Sequence, residues 1–263
     1  MTTLFIGDVV GFSGLQCLIR SFDELKQRYS PDCIIVNGEN IVNGKGLSEK
    51  EAQQLFDAGT TAITTGNHVW ENWLSRPLLA SHPNVLRPMN YPQGNPGRGF
   101  TILTLPNSQT VGVIQLQGRT YMQPIDCPFR AADFALSKMK SCVAIIVDFH
   151  AEATAEKVAM GWYLDGKVSA VLGTHTHVQT ADAQLLPNGT AYITDVGMTG
   201  PYDSVLGLRK DVALKRFMLQ TAHKYEPADT DNRVCGVCIT TDNNSLTAQK
   251  IEPFIYPAFV SVR

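Results

Sequence analysis

The sequence predicts an α/β protein organised on a parallel sheet, and three observations carry that reading. Early in the chain, short apolar runs alternate with stretches whose apolar residues recur at helical spacing, a β-α-β-α-β rhythm. These runs end in Gly7-Asp8, Gly38-Glu39-Asn40 and Gly66-Asn67-His68, polar loops of the kind that carry ligands at strand ends. Farther on, residues 100–105 and 110–116 alternate around Pro106-Asn107-Ser108, a hairpin signal, so a mixed or second sheet is expected.

Leu4-Phe5-Ile6 is the first strand, and Gly11-Phe12-Ser13-Gly14 turns the chain into a helix. Leu15, Leu18, Ile19, Phe22 and Leu25 share one face of that helix until Ser30-Pro31 stops it. Cys33 to Val36 forms the next strand. Ser48 and Glu51 predict a capping box for the following helix, Ala52, Leu55 and Phe56 give its apolar face, and Gly59 closes it. The third strand runs from Thr61 to Thr65. Right-handed crossovers place these three strand ends on one edge, which brings Asp8, Glu39 and Asn67 together.

Residues 87–99, dense in proline and glycine, read as a long surface loop that is either a lid or a plain connector. After the hairpin, 117–129 is irregular, and Ala131, Phe134, Ala135 and Met139 mark a helix. The fourth strand, Cys142 to Val147, ends at Asp148-Phe149-His150, and a helical segment near Ala155 to Trp162 leads to the fifth, Val168 to Leu172. That strand runs into Gly173-Thr174-His175-Thr176-His177, where extended backbone would turn both imidazoles to one side. Asn188-Gly189 marks another hairpin, and Thr194 to Pro201 is a glycine-rich loop suited to lining a site. A helix from about Arg209 to Thr221 and two strands around Asp242-Asn243-Asn244 finish the pattern.

A single domain over residues 1–263 is expected, because the candidate ligands run from Asp8 to His177. The 22 basic and 24 acidic residues give a formal charge of -2, which argues against long nucleic acid or an anionic membrane as partner. No stretch has the length of a membrane span, and the N-terminus has no signal-peptide pattern. Six cysteines without a secretion signal fit a reduced, cytoplasmic protein. Cys235-Gly236-Val237-Cys238 has redox or zinc spacing but lies in a β-like run without a second pair, so buried thiols are expected.

The strand ends together present Asp8, Glu39, Asn40, Asn67, His68, His150, His175 and His177. Four of the six histidines fall among them, and their nitrogen and oxygen donors are those a transition metal takes. His82 and His223 lie outside and are read as ordinary residues. In this pattern of Gly-Asp, Gly-Glu-Asn, Gly-Asn-His, a lone His and Gly-x-His-x-His, the chain resembles the calcineurin-like metallophosphoesterases, and in detail their bacterial YmdB-type branch. Asp148 to Thr154 and Thr194 to Pro201 extend the likeness over nearly the whole sequence. Val10 stands where the broader superfamily has histidine, Glu39 where it has a bridging aspartate and Val69 where it has an acid. All three departures belong to the YmdB-type branch.

The resemblance implies a four-layer α/β/β/α sandwich with two mixed sheets and two metals, iron or manganese before zinc. Asp8 and His177 would hold one, Asn67, His150 and His175 the other, and Glu39 would bridge them. Asn40 would bind a metal or donate to a phosphate oxygen, and His68 would be the general acid or a support for Asn67. It also implies a phosphodiesterase acting through a metal-bridging hydroxide on small phosphodiesters, above all 2′,3′-cyclic nucleotides. A phosphomonoesterase or protein phosphatase with the same centre, or a metal-stabilised regulatory protein with incidental hydrolysis, are the rival readings. A homo-oligomer is expected by analogy alone. Arg119 is a weaker candidate for a phosphate or ribose contact, and Gly44-Lys45-Gly46 lacks the spacing of a nucleotide-triphosphate loop.

Overall fold

The computed structural model describes residues 1–242 and 245–259. In chain order it contains β1 (Thr2–Ile6), β2 (Asp8–Val9), α1 (Gly11–Tyr29), β3 (Cys33–Asn37), α2 (Glu49–Asp57) and β4 (Ala62–Thr64). A 3-10 turn (Asn67–Glu71), α3 (Ser75–Ser81), β5 (Phe100–Thr104), β6 (Thr110–Gln117), α4 (Pro128–Ser137), β7 (Ala144–His150) and α5 (Thr154–Leu164) follow. The remainder is β8 (Ala170–Thr174), β9 (Gln184–Leu185), β10 (Ala191–Ile193), β11 (Met198–Pro201), α6 (Lys210–Leu219), β12 (Asn232–Thr241) and β13 (Ala248–Tyr256). The turn expected between the last two strands includes Asn243 and Asn244, which lie outside the described residues.

Among the described residues the strands form two mixed sheets. One runs β2-β11-β12-β1-β3-β4, with β13 also paired to β12, and the second runs β5-β6-β7-β8-β10-β9. The pairs β1–β3 and β3–β4 are parallel, as the crossover rhythm requires, while β12 pairs antiparallel with β1, β11 and β13. In the second sheet β6, β7, β8 and β10 are successively parallel, and antiparallel β5 and β9 form its edges.

Side-chain alternation explains the layering. Leu4 and Ile6 pack with Leu15, Leu18, Phe22 and Leu25 of α1, whereas Phe5, between them in sequence, joins Val113, Ile146 and Leu172 between the sheets. On the second sheet Ile114, Ile145, Val147 and Phe149 pack beneath Ala132 and Ala135 of α4 and Met160 and Leu164 of α5. The result is the expected α/β/β/α sandwich. Strands buried on both faces read as continuous apolar runs, which is why Cys33 to Val36 and Cys142 to Val147 stand out in the sequence.

Two local expectations need correction, and one helix escapes the sequence reading. The five strand ends do not share one sheet: Asp8, Glu39 and Asn67 follow strands of the first, while β7 and β8 belong to the second. The β5–β6 hairpin starts the new sheet, so the site forms where the two sheets meet. Ser48 does precede α2 at the cap position, but its hydroxyl donates to the Glu51 carboxylate and makes no cap bond to the backbone. The helix α3 and the turn before it have no counterpart in the sequence pattern, because Trp73, Pro77 and short length disguise their periodicity.

Candidate metal centre

Two close approaches make the centre possible. A Cβ at Gly66 would stand 2.3 Å from Glu39 Oε2 and from His150 Nε2, so only glycine lets the loop after β4 come down onto these side chains. A Cβ at Gly173 would meet the Thr194 carbonyl at 1.7 Å, so glycine likewise lets β8 lie against the Thr194–Val196 segment. Asp148 and His150 sit within β7 itself, not in a loop after it, and both are fully buried. The His-x-His loop is not extended. His175 has φ 94° and His177 φ 65°, left-handed conformations uncommon for non-glycine residues. His175 N–H donates to Asp8 Oδ2 at 3.1 Å, and that bond holds the turned backbone in place.

The densest part of the centre surrounds His150 Nε2. It lies 3.0 Å from Glu39 Oε1, 3.1 Å from Asn67 Oδ1 and 3.1 Å from His175 Nδ1. One ring nitrogen cannot make three such hydrogen bonds at once. Its other nitrogen is already committed. Thr174 Oγ1 donates to Asp148 Oδ1 at 2.6 Å and therefore accepts from His150 Nδ1–H at 2.9 Å, which leaves the Nε2 lone pair facing the cluster. Asn37 Nδ2 donates to the other Asp148 oxygen at 2.9 Å, tying β3 of one sheet to β7 of the other. His175 is fixed in the same way: its Nε2 faces Glu152 Oε2 at 3.2 Å, and its Nδ1 points inward.

Four electron-pair donors thus converge, and the donor atoms of Glu39, His150 and His175 all lie within 4.8 Å of one another. A set of two imidazoles, a carboxylate and an amide oxygen fits a divalent transition metal. The electrostatics agree. Although burial alone would raise the Glu39 carboxyl, the His150 charge and hydrogen bond, with His68 and His175, hold it well below the usual carboxylate range. Burial disfavours charge on His150 too, yet Glu39, Asp8 and Asp148 overcome it and push the ring up to about 9. Burial, with His150 alongside, drives His175 down to about 3, so its ring is neutral. Burial also raises Asp148 to about 7. The carboxylates demand positive charge near Nε2, and a metal ion supplies it as a proton does.

The other part of the centre is more open. His177 Nδ1–H donates to the Leu206 carbonyl at 3.1 Å, which turns Nε2 toward the Asn40 amide at 3.2 Å. The same Asn40 nitrogen lies 3.2 Å from Glu39 Oε1, while Asn40 Oδ1 and Asp8 Oδ1 are buried without a hydrogen-bond partner. Exchanging the two ends of the Asn40 amide would put oxygen beside His177 Nε2 and Glu39, giving a second donor set with Asp8. Burial raises the Asp8 carboxyl, and His177 is the largest charge opposing that rise. His68 stands at the rim. Its main-chain N–H donates to Glu39 Oε2 at 3.2 Å, and its Nδ1 lies 3.7 Å from Glu71 Oε1.

Several residues that shape the site escape the sequence reading. Thr174, Asp148 and Asn37 form the relay just described. Lys157 is 1% exposed on α5, and its Nζ donates to Asp195 Oδ2 at 2.8 Å and Thr176 Oγ1 at 3.2 Å. Asp195 also accepts from Thr176 N at 3.0 Å, so this buried pair anchors the loop between the two histidines. A signal exists: Lys157 shares the i, i+3, i+4, i+7 stripe of Met160, Gly161 and Leu164, all buried. Arg119 is held by its main chain, whose N–H donates to Glu156, and Lys45 pairs with Glu71. His82 stacks on Phe56 with centroids 4.3 Å apart. All six cysteines are unpaired, and burial pushes Cys235 and Cys238 up to about 12 and about 11, as inert core thiols require.

The sequence model of the YmdB-like protein family matches residues 4–254. The chain belongs to the YmdB-like family. A relative from Bacillus subtilis (strain 168), a 2′,3′-cyclic-nucleotide 2′-phosphodiesterase, is 47% identical over 253 residues, spanning 96% of each chain. Among solved structures, a hypothetical protein from Thermus thermophilus superposes with a TM-score of 0.91 at 41% identity, covering 97% of this chain and 99% of that one. A phosphatase from Mycoplasma pneumoniae also gives 0.91, at 34% identity, with 97% and 92% covered. This YmdB-like chain is therefore a phosphoesterase-type hydrolase with the metallophosphoesterase fold. Among the described residues no helix is long and apolar enough to cross a membrane.

Proposed function

We propose that the chain is a dinuclear, metal-dependent phosphodiesterase acting on small phosphodiesters, 2′,3′-cyclic nucleotides first among them. The observation that carries the metal site is the meeting of Glu39, Asn67 and His175 donor atoms within 3.1 Å of His150 Nε2. The substrate class is supported by the Bacillus subtilis relative at 47% identity. Asn67, His150 and His175 would hold one cation, Asp8, Asn40 and His177 the other, and Glu39 would reach both. Iron or manganese is proposed first, and the mixed nitrogen and oxygen donors also accept zinc. When bound, such a pair of ions supplies Lewis acidity, lowering the pKa of a water from about 15.7 toward 7 and offsetting the charge of a phosphate.

The protein's own groups do the rest. Asp148 and Thr174 keep the His150 proton on Nδ1, Leu206 keeps that of His177 on Nδ1, and Glu152 faces Nε2 of His175, so the remaining nitrogens present lone pairs. His68, at the rim of the centre, protonates the leaving oxygen. A small anionic substrate is drawn by the net positive charge of the occupied centre, in a cytoplasmic enzyme whose residues 1–263 act as one domain. Hydrolysis of 2′,3′-cyclic AMP, 3′,5′-cyclic AMP, a chromogenic diester and a chromogenic monoester, with Mn²⁺ and beside Glu39→Gln, tests this. Turnover of the 2′,3′-cyclic nucleotide that vanishes in Glu39→Gln supports it. Faster turnover of the monoester would instead favour a phosphomonoesterase.

A further inference from the structure

Between α4, the edge strand β5 and residues 87–99 lies a groove of about 950 Å³, lined by no residue of the metal centre. Its floor is apolar: Met89, Phe100, Ile102 and Phe134, with Tyr91 at the wall. Ile102 and Phe134 are 40% and 55% exposed. Three guanidinium groups, Arg87, Arg98 and Arg130, also line it. Arg87 is half-buried and donates to the carbonyls of Pro88, Met89 and Pro96 at 2.8, 3.3 and 3.1 Å. Those neutral acceptors fix the side chain without cancelling its charge, and burial weighs against that charge. The side chains of Arg98 and Arg130 have no hydrogen bond or ion pair among the described residues, and neither does the Asp126 carboxylate, the one acid on the wall.

We propose that this groove binds a phosphate monoester carried on a flat, apolar ring system, of which a mononucleotide is the type. Planar guanidinium groups pair with phosphate oxygens through parallel N–H bonds, and aromatic walls stack on planar rings. The volume lies at the upper end of the roughly 300–1,000 Å³ typical of ligand pockets. The inference rests on the groove alone and stands apart from the reaction proposed above. The groove also has a route to the centre: Tyr91 packs on Trp70, 5.1 Å between centroids, in the 3-10 turn that carries Asn67 and His68.

Equilibrium dialysis of the metal-loaded protein against adenosine 5′-monophosphate, adenosine and inorganic phosphate tests the site. Glu39→Gln, whose metal centre is impaired, should bind the monophosphate more tightly than adenosine or phosphate. Arg98→Ala with Arg130→Ala, both exposed positions, should weaken that binding by about tenfold or more while leaving thermal stability unchanged. Binding that survives in the double arginine variant overturns the proposal, and so does binding lost only in Glu39→Gln, which would place the anion at the metal centre. Absence of binding in a protein whose dimer dissociates on Phe134→Asp would assign the groove to a second copy of the chain and equally overturn it.

Discussion

His150 and His177 flank the same candidate centre but are held by different kinds of partner. His150 is fully buried, and its ring is set by a chain of side chains, Thr174, Asp148 and Asn37, that crosses from one sheet to the other. His177 is partly exposed and is set by one main-chain carbonyl, that of Leu206, itself in a left-handed conformation at φ 53°. The difference teaches where mutation can reach. Side-chain orienters can be removed singly, whereas a carbonyl survives every substitution that keeps the loop in shape.

The comparison breaks most severely at its buried end. His150→Ala should lower kcat/KM by about 10³-fold or more and reduce the bound metal per chain, which elemental analysis reads directly. An unchanged metal count would remove His150 from the ligand set. Next comes Lys157→Met, which leaves Asp195 charged and unpaired beside the His175–His177 loop. A loss of about 3–5 kcal/mol in denaturant unfolding is expected, with most of it recovered when Asp195→Asn is added. If the double variant is no more stable than the single one, the pair is not what holds the loop.

Thr174→Val keeps the shape of the side chain but cuts the link between Asp148 and His150. The expected result is a ~10–100-fold weaker metal dissociation constant, with the fold intact by circular dichroism. The smallest effect belongs to Leu206→Gly, which suits the positive φ and preserves the carbonyl. Stability should move by no more than about 1 kcal/mol and metal affinity should stay as it was. Equal losses of metal affinity in Thr174→Val and Leu206→Gly would erase the distinction between the two sides.

Much of this arrangement is legible in the sequence. The apolar runs locate β1, β3, β4, β6, β7 and β8, because strands covered on both faces are mostly apolar along their length, with polar residues such as Asp148 and His150 only toward the site end. The polar residues at their ends supply the candidate ligands, of which Glu39, Asn67, His150 and His175 are brought together by the fold. What cannot be read is the geometry between elements. Nothing in Gly173 to His177 announces that both histidines adopt positive φ, and the bond that holds His175 in that turn is made to Asp8, far away in the chain. The division into two sheets is likewise hidden, because a parallel run looks the same in either one. Lys157 is visible as a charged residue on an apolar stripe, but its partner Asp195 lies on another segment and only the fold brings them together.

One consequence of the topology concerns synthesis. The long strand β12 pairs with β1, β11 and β13, and the Met1 amino group donates to Thr241 O across 240 positions. The strand that leads to Asp8 therefore waits for nearly the last part of the chain before its second edge is paired. Contacts this distant in sequence slow folding, and an emerging chain cannot complete them until its C-terminal hairpin clears the ribosome. Until then β1 has β3 on one side and an open edge on the other, so the centre is finished by one late event. A nascent chain stalled before β12 would carry nearly every residue of the site and yet lack the frame that aligns them.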